Sequence, residues 1–110
     1  MTPREAKLAR NEGLFRGVNE RVREVKSDPA DPGEHIRFVC ECGREECVEE
    51  VELTVAEYEE IRSVATQFVV KPGHDFTEVE RVLTENERYS VVEKHEEEAV
   101  IARQTDPREG

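Results

Sequence analysis

Three cysteines fall within eight positions, in the run Phe38-Val39-Cys40-Glu41-Cys42-Gly43-Arg44-Glu45-Glu46-Cys47, and the chain has no others. An odd number cannot close into a disulfide framework. The cluster is therefore a set of packed thiols, a redox centre or part of a metal site. Zinc takes four ligands in a tetrahedron, with Zn–S near about 2.3 Å and Zn–N near about 2.0 Å. If Cys40 and Cys42 lie on one strand they share a face, with α-carbons about 6.6 Å apart, and both sulfurs can lean towards one point. Gly43 lets the chain turn, and Cys47 returns at the start of the next strand. Reactive thiols want an electropositive setting. Here Glu41, Glu45, Glu46, Glu49 and Glu50 surround the sulfurs, with Arg44 as the local counter-charge. That field raises thiol pKa values and attracts a cation. The C-x-C-x4-C spacing is workable for a metal, though less specific than paired CxxC knuckles, and buried cysteines that pack as small hydrophobes are the plain alternative.

A fourth ligand must come from elsewhere. His35 precedes Cys40 by five residues, about 17 Å along an extended strand, which is too far to share an ion. His95 lies beyond the last expected strand. His74 follows the apolar run Phe68-Val69-Val70 and a Pro72-Gly73 turn that can bring it back to the cysteines. The expected site is therefore Cys40, Cys42, Cys47 and His74 around one structural Zn2+, with Asp75 or a water as rivals for the fourth place.

A metal staple matters more where the core is thin. Of the 110 residues, 35% are hydrophobic and 39% charged, with no Trp. One domain is all that such a chain can support. No run of about 18 apolar residues offers a membrane span, and the charged N-terminus does not resemble a secretory signal. These features predict a cytoplasmic location, where thiols stay reduced. The net charge of −11 is unevenly spread. Residues 1–27 carry seven Lys/Arg against four Glu, whereas the remainder carries nine against twenty-three acids. An acidic body repels phosphate backbones, leaving only the basic segment for nucleic acid.

Residues 4–26 read as a basic amphipathic helix, with Leu8, Phe15, Val18, Val22 and Val25 on one heptad-like stripe and Asn11 in the missing place. The stripe reads as a core-facing side or a dimer seam. Glu12 with Arg16 and Glu20 with Arg23 are spaced to pair along its surface. Gly13 and Gly17 weaken a helix but permit another backbone to approach. The segment Asp28-Pro29-Ala30-Asp31-Pro32-Gly33 is a linker. Alternation then predicts strands at 36–40 and 48–53, antiparallel about the cysteine loop. Thr54 and Glu57 form a capping box opening a short helix through Tyr58, Ile61 and Ala65. A strand follows at 68–70. Thr77 and Glu80 repeat the capping spacing and suggest a third short helix over 77–84, against a strand leading into a hairpin at Glu85-Asn86-Glu87. The last strand is expected at 89–94. The whole reads as an α+β domain with a mostly antiparallel sheet, a zinc-binding core at 34–95 and an acidic, frayed tail at 96–110.

The runs Asn11-Glu12-Gly13-Leu14-Phe15-Arg16-Gly17-Val18-Asn19-Glu20, Phe38-Val39-Cys40-Glu41-Cys42 with Cys47, and Phe68-Val69-Val70-Lys71-Pro72-Gly73-His74 together resemble a family of small uncharacterised actinobacterial proteins. The likeness extends over residues 11–94, with Thr77 and Leu83 departing from its pattern. It implies that these segments belong to one fold and that the cysteines and the Pro-Gly-His turn occur together, and it brings no activity with it.

The function expected from these features is a zinc module with a structural metal, acting by binding a protein partner or by self-association through helix 4–26. Two other classes stand beside it. One is regulatory nucleic-acid binding through the basic helix. The other is a zinc enzyme with an open metal position, using a bound water and His74 or Glu46 as general base. No phosphate-binding glycine loop or nucleophile–base pair supports the enzyme class.

Overall fold

A computed structural model describes residues 2–108. The chain runs α1 (Pro3–Lys26), β1 (Ile36–Val39), β2 (Glu50–Leu53), α2 (Val55–Arg62), β3 (Gln67–Val70), β4 (Glu80–Glu85), β5 (Ser90–Lys94) and α3 (Glu96–Gln104). This is the expected α+β class, with the strands divided between two small antiparallel sheets. One is the pair β1–β2 and the other has the order β3-β5-β4. No helix among the described residues is long and apolar enough to cross a membrane.

Local chemistry explains the element ends. Thr2 caps α1, accepting from the Glu5 amide while the Glu5 carboxylate accepts from the Thr2 amide, and Pro3 occupies the first turn, where its missing N–H costs nothing. Thr54 and Glu57 close the same box on α2, as their spacing predicts. In β1–β2, Phe38 stands opposite Val51 and Ile36 opposite Leu53. These residues face inward and meet Tyr58 of α2, whose ring stacks on Phe38 with centroids 4.4 Å apart. A further bond ties the two sheets together: the Glu41 amide, just past β1, donates to the Val69 carbonyl of β3 at 2.9 Å.

Residues 80–85 form a strand, so the helix suggested for 77–84 is not there. One turn does form, with the amides of Val79 and Glu80 donating to the Phe76 carbonyl at 3.0 Å. Thr77 does not cap it; the Glu80 carboxylate receives the Phe76 amide instead. Pairing with β5 then wins, setting Val82 opposite Val92 and Glu80 opposite Lys94, with a bulge between Val82 and Thr84. β-Branched residues that find a partner strand override a weak helical start.

The tail expected to fray from residue 96 is also different. Residues 96–104 form α3, which packs on α1. Beyond it Asp106 is buried and bonded by Arg62 at 2.5 Å. Gly13 is where α1 admits this neighbour: a β-carbon there would lie 2.8 Å from Thr105 Cβ and closer still to its hydroxyl.

The orientation of α1 corrects the stripe reading. Its buried residues are Ala9, Glu12, Gly13, Arg16 and Asn19, while Leu14, Val18 and Val25 are exposed. The expected surface pairs do not form. Glu12 instead bonds Lys94, which also holds Glu80, and all three side chains are buried. Arg16 donates to the carbonyls of Ala65 and Ala102 and lies over the Phe68 ring at 4.2 Å. Glu20 bonds Arg62 and Arg108, and Arg23 bonds Glu59. Distant acceptors and counter-ions in the interior outcompete the weak pairs available along an exposed helix.

Candidate metal centre

Cys40, Cys42, Cys47 and His74 are brought together, with one potential ligand atom from each lying within 4.8 Å of all the others. His74 Nδ1 stands 3.6 Å from Cys40 Sγ and 3.7 Å from Cys47 Sγ. In a tetrahedron with the usual bond lengths, sulfur and nitrogen would be about 3.5 Å apart. The four residues therefore fit a zinc-sized ion with little adjustment.

Three pieces of backbone position them. Cys40 and Cys42 lie just beyond β1, which ends at Val39, one residue earlier than alternation suggests. The Cys40 amide nevertheless donates to the Glu49 carbonyl at 3.0 Å, prolonging the β1–β2 pairing across the mouth of the loop. Gly43 then takes φ +80°, a left-handed conformation that a side chain disfavours. A β-carbon there would also lie 2.8 Å from both Glu12 Cγ and the Leu8 carbonyl oxygen, so glycine serves the turn and the close approach of α1 together. On the far side, Lys71-Pro72-Gly73-His74 closes with the His74 amide donating to the Lys71 carbonyl at 2.9 Å and Gly73 at φ +87°. Proline second and a positive-φ glycine third make this a type II turn. It carries the imidazole back from β3 to the sulfurs.

The Cys40 sulfur also accepts a backbone N–H, from Lys71 at 3.1 Å, and the Arg44 and Glu49 amides lower the Cys42 and Cys47 thiols electrostatically. Such bonds stabilise thiolates, and partners of this kind orient metal ligands. The charges among the sulfurs are unequal. A hydrogen bond from Cys40, helped by the Arg44 amide and His74, holds the Cys42 thiol down to about 4. The same contact with Cys42, together with burial, pushes Cys40 up, and burial pushes Cys47 up. Three adjacent sulfurs cannot all ionise without a compensating cation.

The other histidines lie elsewhere. His35 is 3.9 Å from Glu52 on the exposed side of β2, and His95 is the N-cap of α3. Asp75 is not in the assembled group.

Two asparagines, Asn11 from the gap in the stripe and Asn19 outside it, fasten α1 to this centre. Asn19 both donates to the Val39 carbonyl and accepts from the Val39 amide, each at 2.8 Å, taking the place of a neighbouring strand. It also donates to the Glu41 carboxylate at 2.7 Å. Eight residues earlier on the helix, Asn11 donates to the Gly43 carbonyl at 3.1 Å. The pair thus grips the backbone on either side of Cys40 and Cys42. Glu41, between those cysteines, is fully buried, and burial lifts its carboxyl to about 7 against hydrogen bonds from Asn19 and the Val69 amide. The signal was present: asparagine is a poor helix former, and two of them eight apart in one helix ask for tertiary partners.

Comparison of the chain with protein-family models, with curated proteins and with solved structures finds no match.

Proposed function

We propose that this chain is a small zinc-binding module with one structural ion, held by the thiolates of Cys40, Cys42 and Cys47 and by Nδ1 of a neutral His74, and that it acts by binding a protein partner or a second copy of itself. The observation that carries the reading is the convergence of three thiols and an imidazole within 4.8 Å of one another, with His74 Nδ1 at 3.6 and 3.7 Å from two of the sulfurs and Cys40 accepting a backbone N–H. Sulfur-rich tetrahedral sets favour zinc over the harder divalent ions. Four protein ligands leave no open position for substrate, which favours a structural over a catalytic role. The thiols must stay reduced to serve, so the reading places the chain in a reducing compartment such as the cytoplasm.

Of the seven basic residues in the helix, Arg16 is buried and Lys7, Arg21 and Arg23 pair with glutamates, which reduces the positive field a nucleic acid would meet.

Elemental analysis of purified protein, combined with melting in the presence of a chelator, tests the proposal. One zinc per chain and a large fall in Tm on chelation are expected. A fully folded, metal-free protein would overturn it. His74→Ala sharpens the assignment, because loss of zinc together with a lowered Tm marks a ligand, whereas retained zinc would move the imidazole out of the closed set.

A further inference from the structure

We infer that the outward face of α1, together with Val48, is a two-fold interface between two copies of this chain. The inference deepens the proposed function by naming the partner, and it rests on the metal reading in that Cys40 and Cys47 line the cleft it uses and Cys47 holds its neighbour Val48 in place.

Single exposed hydrophobics are ordinary. Here they are contiguous. Leu14 is 68%, Val18 45% and Val25 69% exposed. At about 100° per residue all three fall within an arc of about 40° on α1. Beside them a cleft of about 360 Å³, lined by Phe15, Val18 and Val39, separates α1 from the loop before β2. Val48, 90% exposed, stands on its far side. The patch therefore has an apolar ridge, a cleft and a protruding knob in sequence across its width.

Its two long edges carry opposite charge. Arg10 and Arg21 border the stripe on the helix side, displaced from Leu14 by about 20–40° around the axis. Glu49 and Glu50 border the cleft on the strand side. Arg21 shares its charge with Glu24 and Glu49 with Lys71, but both are exposed pairs at 3.3 Å that can be exchanged at little cost. A two-fold axis along the cleft turns the basic edge of one copy onto the acidic edge of the other, and sets each Val48 against the opposite ridge of Leu14 and Val18. An isologous interface requires such self-complementarity. An unrelated partner would need the same ridge, cleft and charge order in mirror sequence, and a second copy already supplies it.

Light scattering or sedimentation equilibrium on the zinc-loaded full chain, with zinc measured in the same samples, tests this. Twice the chain mass at micromolar concentration is expected. Val18→Asp should return the chain mass with zinc content unchanged. Leu14→Asp, at a still more exposed site, should do the same if the first variant folds poorly. Arg21→Glu and Glu50→Arg should each weaken association at least about tenfold, and the two together should restore it. A wild-type chain that stays at single mass while holding zinc overturns the interface and leaves the metal reading standing. A zinc-free chain overturns the metal reading, and its mass then judges the interface separately. Dimers that survive Val18→Asp and Leu14→Asp also overturn the interface.

Discussion

The interior is filled in two different ways on the two sides of β3. Towards β1, β2 and α2 it is apolar: Ile36, Phe38, Val51, Leu53, Tyr58 and Ile61 close around Val69. Towards α1, α3 and β5 a smaller apolar cluster of Phe68, Val70, Val92 and Ala102 is joined by buried charge, with Lys94 bridging Glu12 and Glu80 and with Arg16 capping two carbonyls over Phe68. The apolar half needs only shape, since hydrophobic contact has no direction. The ionic half needs addresses, because each buried charge is costly until a particular partner meets it. This difference explains why α1 lies with Val18 and Val25 outward while Val22 touches the apolar core. A chain that is 39% charged cannot cover every element with apolar surface. It docks this helix by named bonds instead, and the cysteine centre belongs to the same charged half, with Cys40 and Cys42 packed among Phe68, Val70 and Val92 and with Glu12 beside Gly43.

Truncation on each side gives the largest expected effects and tests whether the halves differ in kind. Phe38→Ala removes a fully buried ring stacked on Tyr58 and should cost about 3–5 kcal/mol in urea unfolding of the metal-loaded protein. Lys94→Ala should cost a similar ~3–5 kcal/mol by leaving two buried carboxylates facing each other. The two then separate on rescue. Burial already pushes the Glu12 carboxyl well above the usual range, so the ionic trio tolerates neutral replacement. Combining Lys94→Met with Glu12→Gln and Glu80→Gln should recover most of the loss. If Lys94→Ala alone costs under about 1 kcal/mol, the ionic half is a solvated surface and the contrast fails.

The glycines of α1 give a smaller effect and map the packed side directly. Gly13→Ala should destabilise by about 1–3 kcal/mol, because Thr105 occupies the space its methyl needs. Gly17→Ala meets nothing within 4 Å and should stabilise by up to about 1 kcal/mol through helix propensity alone. Equal effects at the two sites would mean that α3 does not rest on α1.

The same contrast sets what could be read from the residues. Where structure follows from local pattern, reading succeeds: alternation marks β1 and β2, the apolar run Phe68–Val70 before Pro72-Gly73 marks β3, and the Thr54–Glu57 spacing marks α2. The cysteine cluster and His74 were legible for the same reason, since their spacing and a Pro-Gly turn restrict where the donors can go. Where structure follows from distant charge pairing, reading fails. Nothing near Glu12 in sequence points to Lys94, eighty-two residues away, so the heptad stripe of α1 leaves a core-facing side and a dimer seam both open. Thr77 and Glu80 mimic a helix start because the spacing cannot show that Glu80 already has Lys94 as partner. The acidic tail likewise looked solvated until Arg62 supplied the counter-charge for Asp106.

The smallest effect concerns pH and the β4–β5 hairpin. Arg88 reaches from the turn to Glu57 with two bonds, 2.9 and 2.7 Å, while the Thr54 amide and the Tyr89 hydroxyl bond the same carboxylate. Chiefly through Arg88, this holds the Glu57 carboxyl down to about 2 from an ordinary 4.5. A depressed acid contributes stability that is fully present above its unfolded pKa and is lost as pH falls through the folded one. The contribution of Glu57 is therefore whole above about pH 4.5 and disappears towards about pH 2. Arg88→Gln should shallow the fall in stability over that window, lowering stability modestly at neutral pH, because the pair is partly exposed and screened, and hardly at all near pH 2. Urea midpoints of wild type and variant, measured across the window in parallel, check this. Curves that keep a constant separation at every pH would show that Arg88 acts by packing on Tyr89 and not by holding the charge of Glu57.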